Sequence, residues 1–301
     1  MKKKINIKYP PILLFAYNRP NHFKRTFTSL GKNYNAKKYK LIIFIDGPKT
    51  ETDKKKADKI ESLIKGNHKF KSINIFKNKT NRGLKKSIIN GVNYVFKKFE
   101  NVIVLEDDIV TNKHYLEFMT NSLNYYKNNS LIGSISGYSY INMDSDLKDE
   151  IYLSQRHASW GWGTWKKNWV GLKWNNEWAK KHLLKENFKL LFNSAGEDMY
   201  HMLNLQIQKK IDSWAIIYNL NQFLKKKYCL CPSKSLLFNI GMDGSGIHCK
   251  KNDTVFSNYE PNFYVKNFSS VNINQNILDK ICKSFHTPIY KRIINKIFNK
   301  S

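Results

Sequence analysis

The chain has 301 residues, 41% of them hydrophobic and 25% charged, so it can enclose a core and is not disordered as a whole. Its 52 lysines and arginines outnumber its 23 aspartates and glutamates, which gives a formal net charge of +29 at pH 7. Four cysteines are too few for a disulfide-stapled secreted scaffold, and no apolar run approaches the ~20 residues that span a bilayer. No signal-peptide core follows the basic N-terminus, so we expect a cytoplasmic protein with reduced thiols.

Strand and helix patterns alternate through the first third of the chain. Apolar runs predict buried strands at residues 11–17, 41–45, 73–76 and 102–105. Helical periodicity predicts helices between them, at residues 21–30, 52–64 and 84–99. This alternation is typical of an α/β protein with a doubly wound, mostly parallel sheet.

Polar residues follow three of these strands at the points where the strands end. They are Tyr17-Asn18-Arg19, Asp46-Gly47 and Glu106-Asp107-Asp108. Ligands of doubly wound sheets bind beyond the carboxyl ends of the strands, so we expect these groups to share one site. The first strand is not followed by a G-x-G-x-x-G sequence and the chain has no Walker A motif, which argues against a classical dinucleotide or P-loop site.

The acidic triplet Glu106-Asp107-Asp108 is the most informative of these segments. Three adjacent carboxylates repel one another unless a cation or hydrogen-bond donors compensate their charge. Oxygen ligands of this kind favour Mg²⁺ or Mn²⁺, which complete their coordination with phosphate oxygens and water. The alternative is a solvated turn before a helix that begins at Asn112, with the acids near its positive end.

Six of the seven tryptophans lie between Trp160 and Trp178. They either pack in the core or form a floor on which a sugar stacks, because aromatic faces pack against the apolar faces of sugars. We expect a mixture, with Trp165 and Trp169 in the core of a helix and Trp160-Gly161-Trp162 in a loop at the site. The cysteines lack the paired spacing of a zinc site.

The order and spacing of these segments resemble those of GT-A glycosyltransferases. The resemblance is closest to the N-acetylglucosaminyltransferase I type and to related bacterial cell-surface sugar transferases, and it covers roughly residues 10–250. It rests on the segments above, with Phe15-Ala16 before Tyr17, and on Asn81-Arg82-Gly83, Asp212-Ser213-Trp214 and Asn239-Ile240-Gly241 with His248. It implies a GT-A, Rossmann-like fold: a mostly parallel central sheet flanked by helices, with a helical and loop-rich acceptor-side half. Residues 1–110 would bind the nucleotide-sugar, residues 111–286 would bind the acceptor and catalyse, and residues 287–301 would form a basic amphipathic helix.

The resemblance also implies a role for each matching residue. Asp108 would bind Mn²⁺ or Mg²⁺ as the last acid of a DXD-type element, and Asp46 would hydrogen-bond the nucleobase. The other nucleotide-sugar contacts would come from Ala16, Tyr17, Asn18, Arg19, Arg82, Lys86, Glu106 and Asp107. Trp160, Gly161, Trp162 and His248 would lie in acceptor-side or mobile loops.

Two acidic segments compete for the role of catalytic base. Asp212, before Ser213-Trp214, matches the family pattern best, and Glu197-Asp198 is its rival. The family pattern of the eukaryotic enzymes carries two adjacent acids where this chain has Asp-Ser, which leaves both candidates open.

The expected function is metal-dependent transfer of a sugar, from a UDP-sugar, to a hydroxyl group of a bacterial surface glycan or glycolipid such as lipopolysaccharide, with inversion. The alternatives are a sugar nucleotidyltransferase and a catalytically inactive basic binding protein. The excess positive charge reflects lysine-rich composition or an anionic membrane surface, with the helix at 287–301 as a peripheral membrane contact. A nucleic-acid partner is not expected, because acids at the binding edge would repel it.

Overall fold

The computed structural model of the protein describes residues 8–66, 69–141, 150–243 and 258–285. The predicted loop residue His248 and the predicted basic helix at residues 287–301 lie outside the described residues. Among the described helices, none is both long enough and apolar enough to cross a membrane.

Ten strands are described, and eight of them form one central sheet. The eight are β1 (Ile12–Ala16), β2 (Lys40–Ile45), β3 (Ser72–Lys77), β4 (Asn101–Glu106), β6 (Ile132–Ser136), β7 (Ile151–Ser154), β8 (Trp162–Trp165) and β9 (Tyr228–Pro232). Their order across the sheet is β3-β2-β1-β4-β8-β6-β9-β7. The remaining strands, β5 (Ile109–Thr111) and β10 (Leu237–Asn239), form a small antiparallel ribbon.

The first four strands pair in parallel, as their alternation with helices predicted. Every residue of β1 is buried, because β1 lies between β2 and β4 and is covered on both faces. The second half of the chain extends the same sheet, since β8 pairs antiparallel with β4 and with β6. The fold is therefore the predicted mostly parallel α/β sheet, with antiparallel strands added by the second half.

Ten α-helices surround the sheet: α1 (Pro20–Gly31), α2 (Glu51–Ile64), α3 (Leu84–Phe96), α4 (Tyr115–Tyr125), α5 (Lys166–Trp169), α6 (Asn176–Leu183), α7 (Phe188–Asn193), α8 (Met199–Ile207), α9 (Trp214–Leu224) and α10 (Gln275–Ser284) among the described residues. One large core cluster joins α1, α2 and α4 to one face of the sheet. A second cluster joins α3 and α9 to the opposite face. Helices α6 to α9 enclose a third, smaller cluster.

Two details of the predicted elements are wrong. Trp165 was expected in a helix with Trp169, but it ends strand β8, and only Trp169 belongs to a helix, the short α5. The helix expected from Asn112 begins at Tyr115. In β8 the glycine at position 163 faces Met119 and Leu123 of α4, and a side chain there would collide with them.

Candidate active site

The carboxyl ends of β1, β2 and β4 meet at one edge of the sheet. The register pairs Phe15 with Glu106 and Ala16 with Ile45, so the residues that follow these three strands are neighbours. This edge brings together the polar segments that begin at Tyr17, Asp46 and Glu106, as expected from parallel pairing.

Arg19 links the two aspartates at the centre of this edge. Its Nη2 donates to Asp107 Oδ1 and, at 3.0 Å, to Asp108 Oδ2. The backbone N–H of Tyr17 donates to the other Asp107 oxygen at 3.4 Å. The Asp107 and Asp108 side chains are only 4% and 12% exposed, so the ion pairs hold two buried carboxylates side by side.

Burial is the largest cause of the raised pKa values of Glu106 and Asp107. Burial, followed by repulsion from Asp108 and Asp107, raises the pKa of Glu106 to about 8. Burial also raises the pKa of Asp107 to about 6, although the Arg19 guanidinium works in the opposite direction. Burial opposes the charge of Arg19, but its ion pairs with the two aspartates raise its pKa further. A further cation would relieve this repulsion.

The surroundings of Asp108 fit a divalent metal ion. The backbone C=O of Asp108 accepts from the N–H of Ile240 at 2.8 Å, which brings the turn after β10 over the carboxylate. A Cβ on Gly241 would lie 2.5 Å from Asp108 Oδ2 and 3.0 Å from Asn239 Oδ1. Carboxylate and amide oxygens are ligands that Mg²⁺ and Mn²⁺ accept. Within the described residues, no group of three or more His, Cys, Asp or Glu side chains is placed to hold a metal ion.

Gly241 provides a direct test of this arrangement. In Gly241→Ala the new methyl group would overlap Asp108 Oδ2 and would lie 3.1 Å from Arg19 Nη1. We expect the variant to fold and to lose metal-dependent ligand binding, because Asp108 has to move. Thermal unfolding with and without Mn²⁺ and a nucleoside diphosphate would show this. A variant that retains the wild-type stabilisation by those ligands would contradict the assignment of Asp108.

Asp46 supports a loop in the structure, and its contact with a nucleobase stays a prediction. Its Oδ1 accepts from the backbone N–H groups of Gly47 and Arg82 and from the side chain of Asn78, at 2.9, 3.0 and 3.2 Å. Its Oδ2 accepts from the N–H of Gly83 at 2.9 Å. Both oxygens of the Asp46 carboxylate thus accept hydrogen bonds from within the protein. Asp46 therefore holds the 81–83 loop, which leads into α3, against the end of β2.

Asp53 is a residue of this region that the sequence analysis missed. It accepts from the hydroxyl of Tyr17 at 2.8 Å and from the side-chain amide of Asn18 at 2.7 Å. It also closes the capping box of α2 with Thr50, whose hydroxyl accepts from the Asp53 N–H at 3.1 Å. Tyr17 and Asn18, predicted to contact the nucleotide-sugar, are thus tied to α2. The T-x-x-D spacing at residues 50–53 was the available signal.

The bonds to Asp53 predict a pH-dependent contribution to stability. Hydrogen bonds from Asn18 and then Tyr17 lower the pKa of Asp53 below its ordinary value. A lowered pKa in the folded state stabilises the fold above the unfolded pKa of about 4 and loses that effect as the pH falls. We expect Asp53→Asn to melt at a lower temperature than wild type at pH 7, with the difference shrinking below about pH 4. Glu51→Gln, which changes an exposed acid in the same turn, is the control. An equal difference at every pH would contradict this account.

Basic groups gather at the start of α3, on the same side of the site. Lys85 and Lys86 lie in its first turn, which has no acidic residue, and its N-cap Gly83 provides no side-chain hydrogen bond. Positive side chains at a helix N-terminus add to the positive end of the helix dipole, which is unfavourable unless an anion is present. Lys85 Nζ lies 3.8 Å from Asp212 Oδ1, and the Asp212 side chain is 70% exposed. The structure therefore places Asp212 beside the α3 terminus, with its carboxylate open to solvent.

The rival acids Glu197 and Asp198 have a different setting. Both Asp198 oxygens are bound by Arg156, with Nη1 at 2.6 Å and Nη2 at 3.1 Å. The guanidinium of Arg156 also lies 3.6 Å from the centre of the Phe285 ring. Arg156 follows β7, at the edge of the sheet away from β1 and β4. Arg156 thus contacts both Asp198, which precedes α8, and Phe285, which follows α10.

The Trp160-Gly161-Trp162 segment was expected to form an acceptor-side loop, and the structure corrects this for Trp162. That side chain is 1% exposed and packs between Trp169 and Trp214, with ring centroids at 5.8 and 5.1 Å. Gly161 lies at φ +50° against Tyr115 and Leu237, where any side chain would collide. Trp160 is half-buried, with its ring 4.9 Å from that of Tyr138. Core packing thus explains Gly161 and Trp162.

Comparisons with known proteins agree with this fold. The sequence model of the family described as Glycosyl transferase family 2 matches residues 12–202, which is more than half of the chain. The match includes the strand-end segments and Glu197-Asp198 and ends before Asp212. No curated protein matches the chain.

Several solved structures resemble the chain at low sequence identity. One is TarS 1-349 of S. aureus, at 13% identity and TM-score 0.42, covering 77% of this chain and 61% of that one. TarS 1-349 of S. aureus in complex with UDP matches at 13% identity and TM-score 0.42, and the match covers 76% of this chain and 60% of the TarS chain. The mannosyltransferase PcManGT from Pyrobaculum calidifontis, in complex with GDP-Man and Mn²⁺, gives 9% identity and TM-score 0.39, covering 74% and 73%. The chain thus spans less than two thirds of the length of the TarS fragment that it matches.

Proposed function

The chain belongs to glycosyl transferase family 2, and from that premise we propose that it transfers a sugar from a nucleoside diphosphate sugar, a UDP-sugar, to a hydroxyl group of a bacterial surface glycan or glycolipid. The observation that carries this proposal is the cluster of Arg19, Asp107 and Asp108 at the carboxyl ends of the parallel strands. The predicted class of enzyme, a glycosyltransferase, is confirmed by the family match. The donor, the metal dependence and the acceptor are our proposals.

The distribution of charge at the site supports a diphosphate ligand. On one side stand the buried acids Asp107 and Asp108, which need a cation. On the other side stand Lys85 and Lys86 at the uncapped N-terminus of α3, which favour an anion. A diphosphate bound to a divalent cation satisfies both requirements. The loop that Asp46 holds, with Arg82 in it, lies at the end of β2 beside these groups.

Asp108 is the protein ligand that we assign to Mn²⁺ or Mg²⁺, with Asn239 as a neighbouring oxygen. When bound, the ion would stabilise negative charge on the departing diphosphate. Arg19 holds Asp107 and Asp108 in place by its paired hydrogen bonds. Lys85 and Lys86 would add positive charge on the opposite side of the leaving group.

Asp212 is the base that we assign to the acceptor hydroxyl. A general base needs a free lone pair that can reach the proton it removes. The Asp212 carboxylate is 70% exposed and has a single lysine at 3.8 Å, whereas both oxygens of Asp198 are bound by Arg156. The hydroxyl oxygen would attack the anomeric carbon as its proton passes to Asp212, and the bond to the diphosphate would break. One direct displacement inverts the anomeric centre, so a product with retained configuration would reject this mechanism.

A thermal-shift screen of nucleoside diphosphates, each with and without Mn²⁺, tests the donor site. A ligand that binds only the folded state stabilises it by RT ln(1 + [L]/Kd), about 2.7 kcal/mol at 100 times Kd. We expect one diphosphate, UDP, to raise the melting temperature, and Mn²⁺ to increase the shift. If a folded sample shows no shift with any diphosphate, the proposed donor site is wrong.

A further inference from the structure

The segment that runs from the end of α6 into α7 exposes apolar side chains. Leu184 is 82% exposed and Leu190 is 75% exposed, the two highest values among the large apolar side chains in the described part of the chain. Leu191, beside Leu190, is 57% exposed. Exposed leucines are individually common, but a concentration of them within one short stretch marks an interaction surface. We call residues 184–191 the leucine segment.

The packing of the two helices does not require these leucines. Helix α7 uses Phe188 and Phe192, four residues apart on one face, to reach the core between α6 and α9. Leu190 lies between them in the sequence and therefore on the opposite face of the helix. Leu184 follows the last residue of α6, a helix that buries only Ala179. Substituting polar residues for Leu184 and Leu190 would leave this core intact.

Lysines surround the leucine segment. Lys180 and Lys181 precede it in α6, and Lys185 and Lys189 lie within it. None of these four lysines forms an ion pair with an acid of the described ranges, and Lys189 lies over the ring of Tyr200 at 5.9 Å. One acid, Glu186, lies within the segment, and Glu177 precedes it in α6. Apolar side chains with lysines around them are typical of segments that lie in the interface of an anionic membrane.

We propose that the leucine segment is a membrane-contact surface that inserts Leu184 and Leu190 among the lipids of an anionic bilayer. Lys181, Lys185 and their neighbours would lie at the level of the headgroups. A second copy of the chain is the less suitable partner, because it would bring the same lysines of two strongly positive chains together. A few leucines also bury much less than the area of a stable protein interface.

This surface is separate from the donor site and is proposed from other residues. It would place the enzyme at the membrane that holds a glycolipid acceptor. That consequence rests on the proposed function, whereas the membrane contact itself does not. The two proposals are therefore tested by different measurements, vesicle binding for one and stabilisation by a nucleoside diphosphate for the other.

The test is co-sedimentation of the full chain with vesicles of phosphatidylcholine, alone or with phosphatidylglycerol. We expect wild type to bind the vesicles that contain phosphatidylglycerol, and the double variant Leu184→Ser/Leu190→Ser to bind about tenfold more weakly or worse, from the apolar area that each leucine buries. Ile75→Ser is the matched control, since Ile75 is an exposed apolar residue of the edge strand β3. It should bind as wild type does. Lys181→Gln/Lys185→Gln should reduce binding and its dependence on salt.

Three results would overturn the proposal. The first is wild type that does not bind vesicles containing phosphatidylglycerol, and the second is a leucine double variant that binds them with wild-type affinity. The third is a change in the oligomeric state of the double variant, measured by light scattering, which would identify the segment as a contact between copies. Stabilisation by a nucleoside diphosphate should be the same in the double variant and in wild type, which shows that its fold and donor site are intact.

Discussion

Asp108→Ala is expected to lose metal-dependent donor binding and to lower turnover by about a thousandfold, the effect of losing several kcal/mol of charge stabilisation in the transition state. The physical reason is that Asp108 is the carboxylate over which Gly241 and Asn239 lie, so its removal leaves the cation without its protein ligand. The measurements are turnover at increasing Mn²⁺ concentration and the thermal shift that a nucleoside diphosphate produces.

Stability separates this loss of function from a loss of folding. Asp108 repels Glu106 and Asp107, and this repulsion contributes to the raised pKa of both. We therefore expect Asp108→Ala to melt at or above the wild-type temperature without ligands. Asp58→Ala removes an exposed carboxylate that pairs with Lys77, and it serves as the control with wild-type turnover. Full activity of Asp108→Ala at saturating Mn²⁺ would show that Asp108 does not hold the metal.

Asp212→Asn is expected to lower turnover by about 10²–10⁴-fold, the usual contribution of a general base, while donor binding stays at its wild-type value. The substitution keeps the size of the side chain and removes its ability to accept a proton. Since Asp212 is 70% exposed and its one ion pair is long, the melting temperature should barely change. Turnover and the nucleoside diphosphate thermal shift, measured on the same samples, check both statements.

The rival acids provide the comparison for Asp212. Asp198→Asn should lower the melting temperature, because it leaves the partly buried Arg156 without its bidentate partner. It should not reproduce the selective loss of turnover, and neither should Glu197→Gln. If either variant loses turnover with intact donor binding while Asp212→Asn remains active, the base lies in the 197–198 segment.

Much of the structure of residues 8–110 could be predicted from local patterns. Strands β1 to β4 and helices α1 to α3 lie within a few residues of their predicted bounds, because hydrophobic periodicity reports which face of each element is buried. The meeting of Arg19 with Asp107 and Asp108 follows from parallel pairing alone, since that pairing brings the strand ends to one edge. The shared location of these groups was therefore predictable from the sequence.

The second half could not be predicted as well, because its strands depend on distant partners. Strand β8 lies in the sheet between β4 and β6. The neighbouring side chains there determine where tryptophan fits and where only glycine does. The short Trp-Gly alternation does not indicate that this segment is a central strand. The sequence therefore predicted a helix for Trp165 and a site loop for Trp162, and both residues lie in β8.

Sequence by itself determined the parallel half of the sheet, the acidic edge and the glycosyltransferase resemblance, since each depends on residue types and spacings within short segments. Only the tertiary structure decided which partners those groups have. It assigned Asp46 to the loop before α3, gave Tyr17 and Asn18 a partner in Asp53, and left Asp212 open while Arg156 holds Asp198. The physical reason is that a side chain forms a hydrogen bond or an ion pair only when a partner lies within bonding distance. Partners that are distant in sequence are brought within reach by the fold.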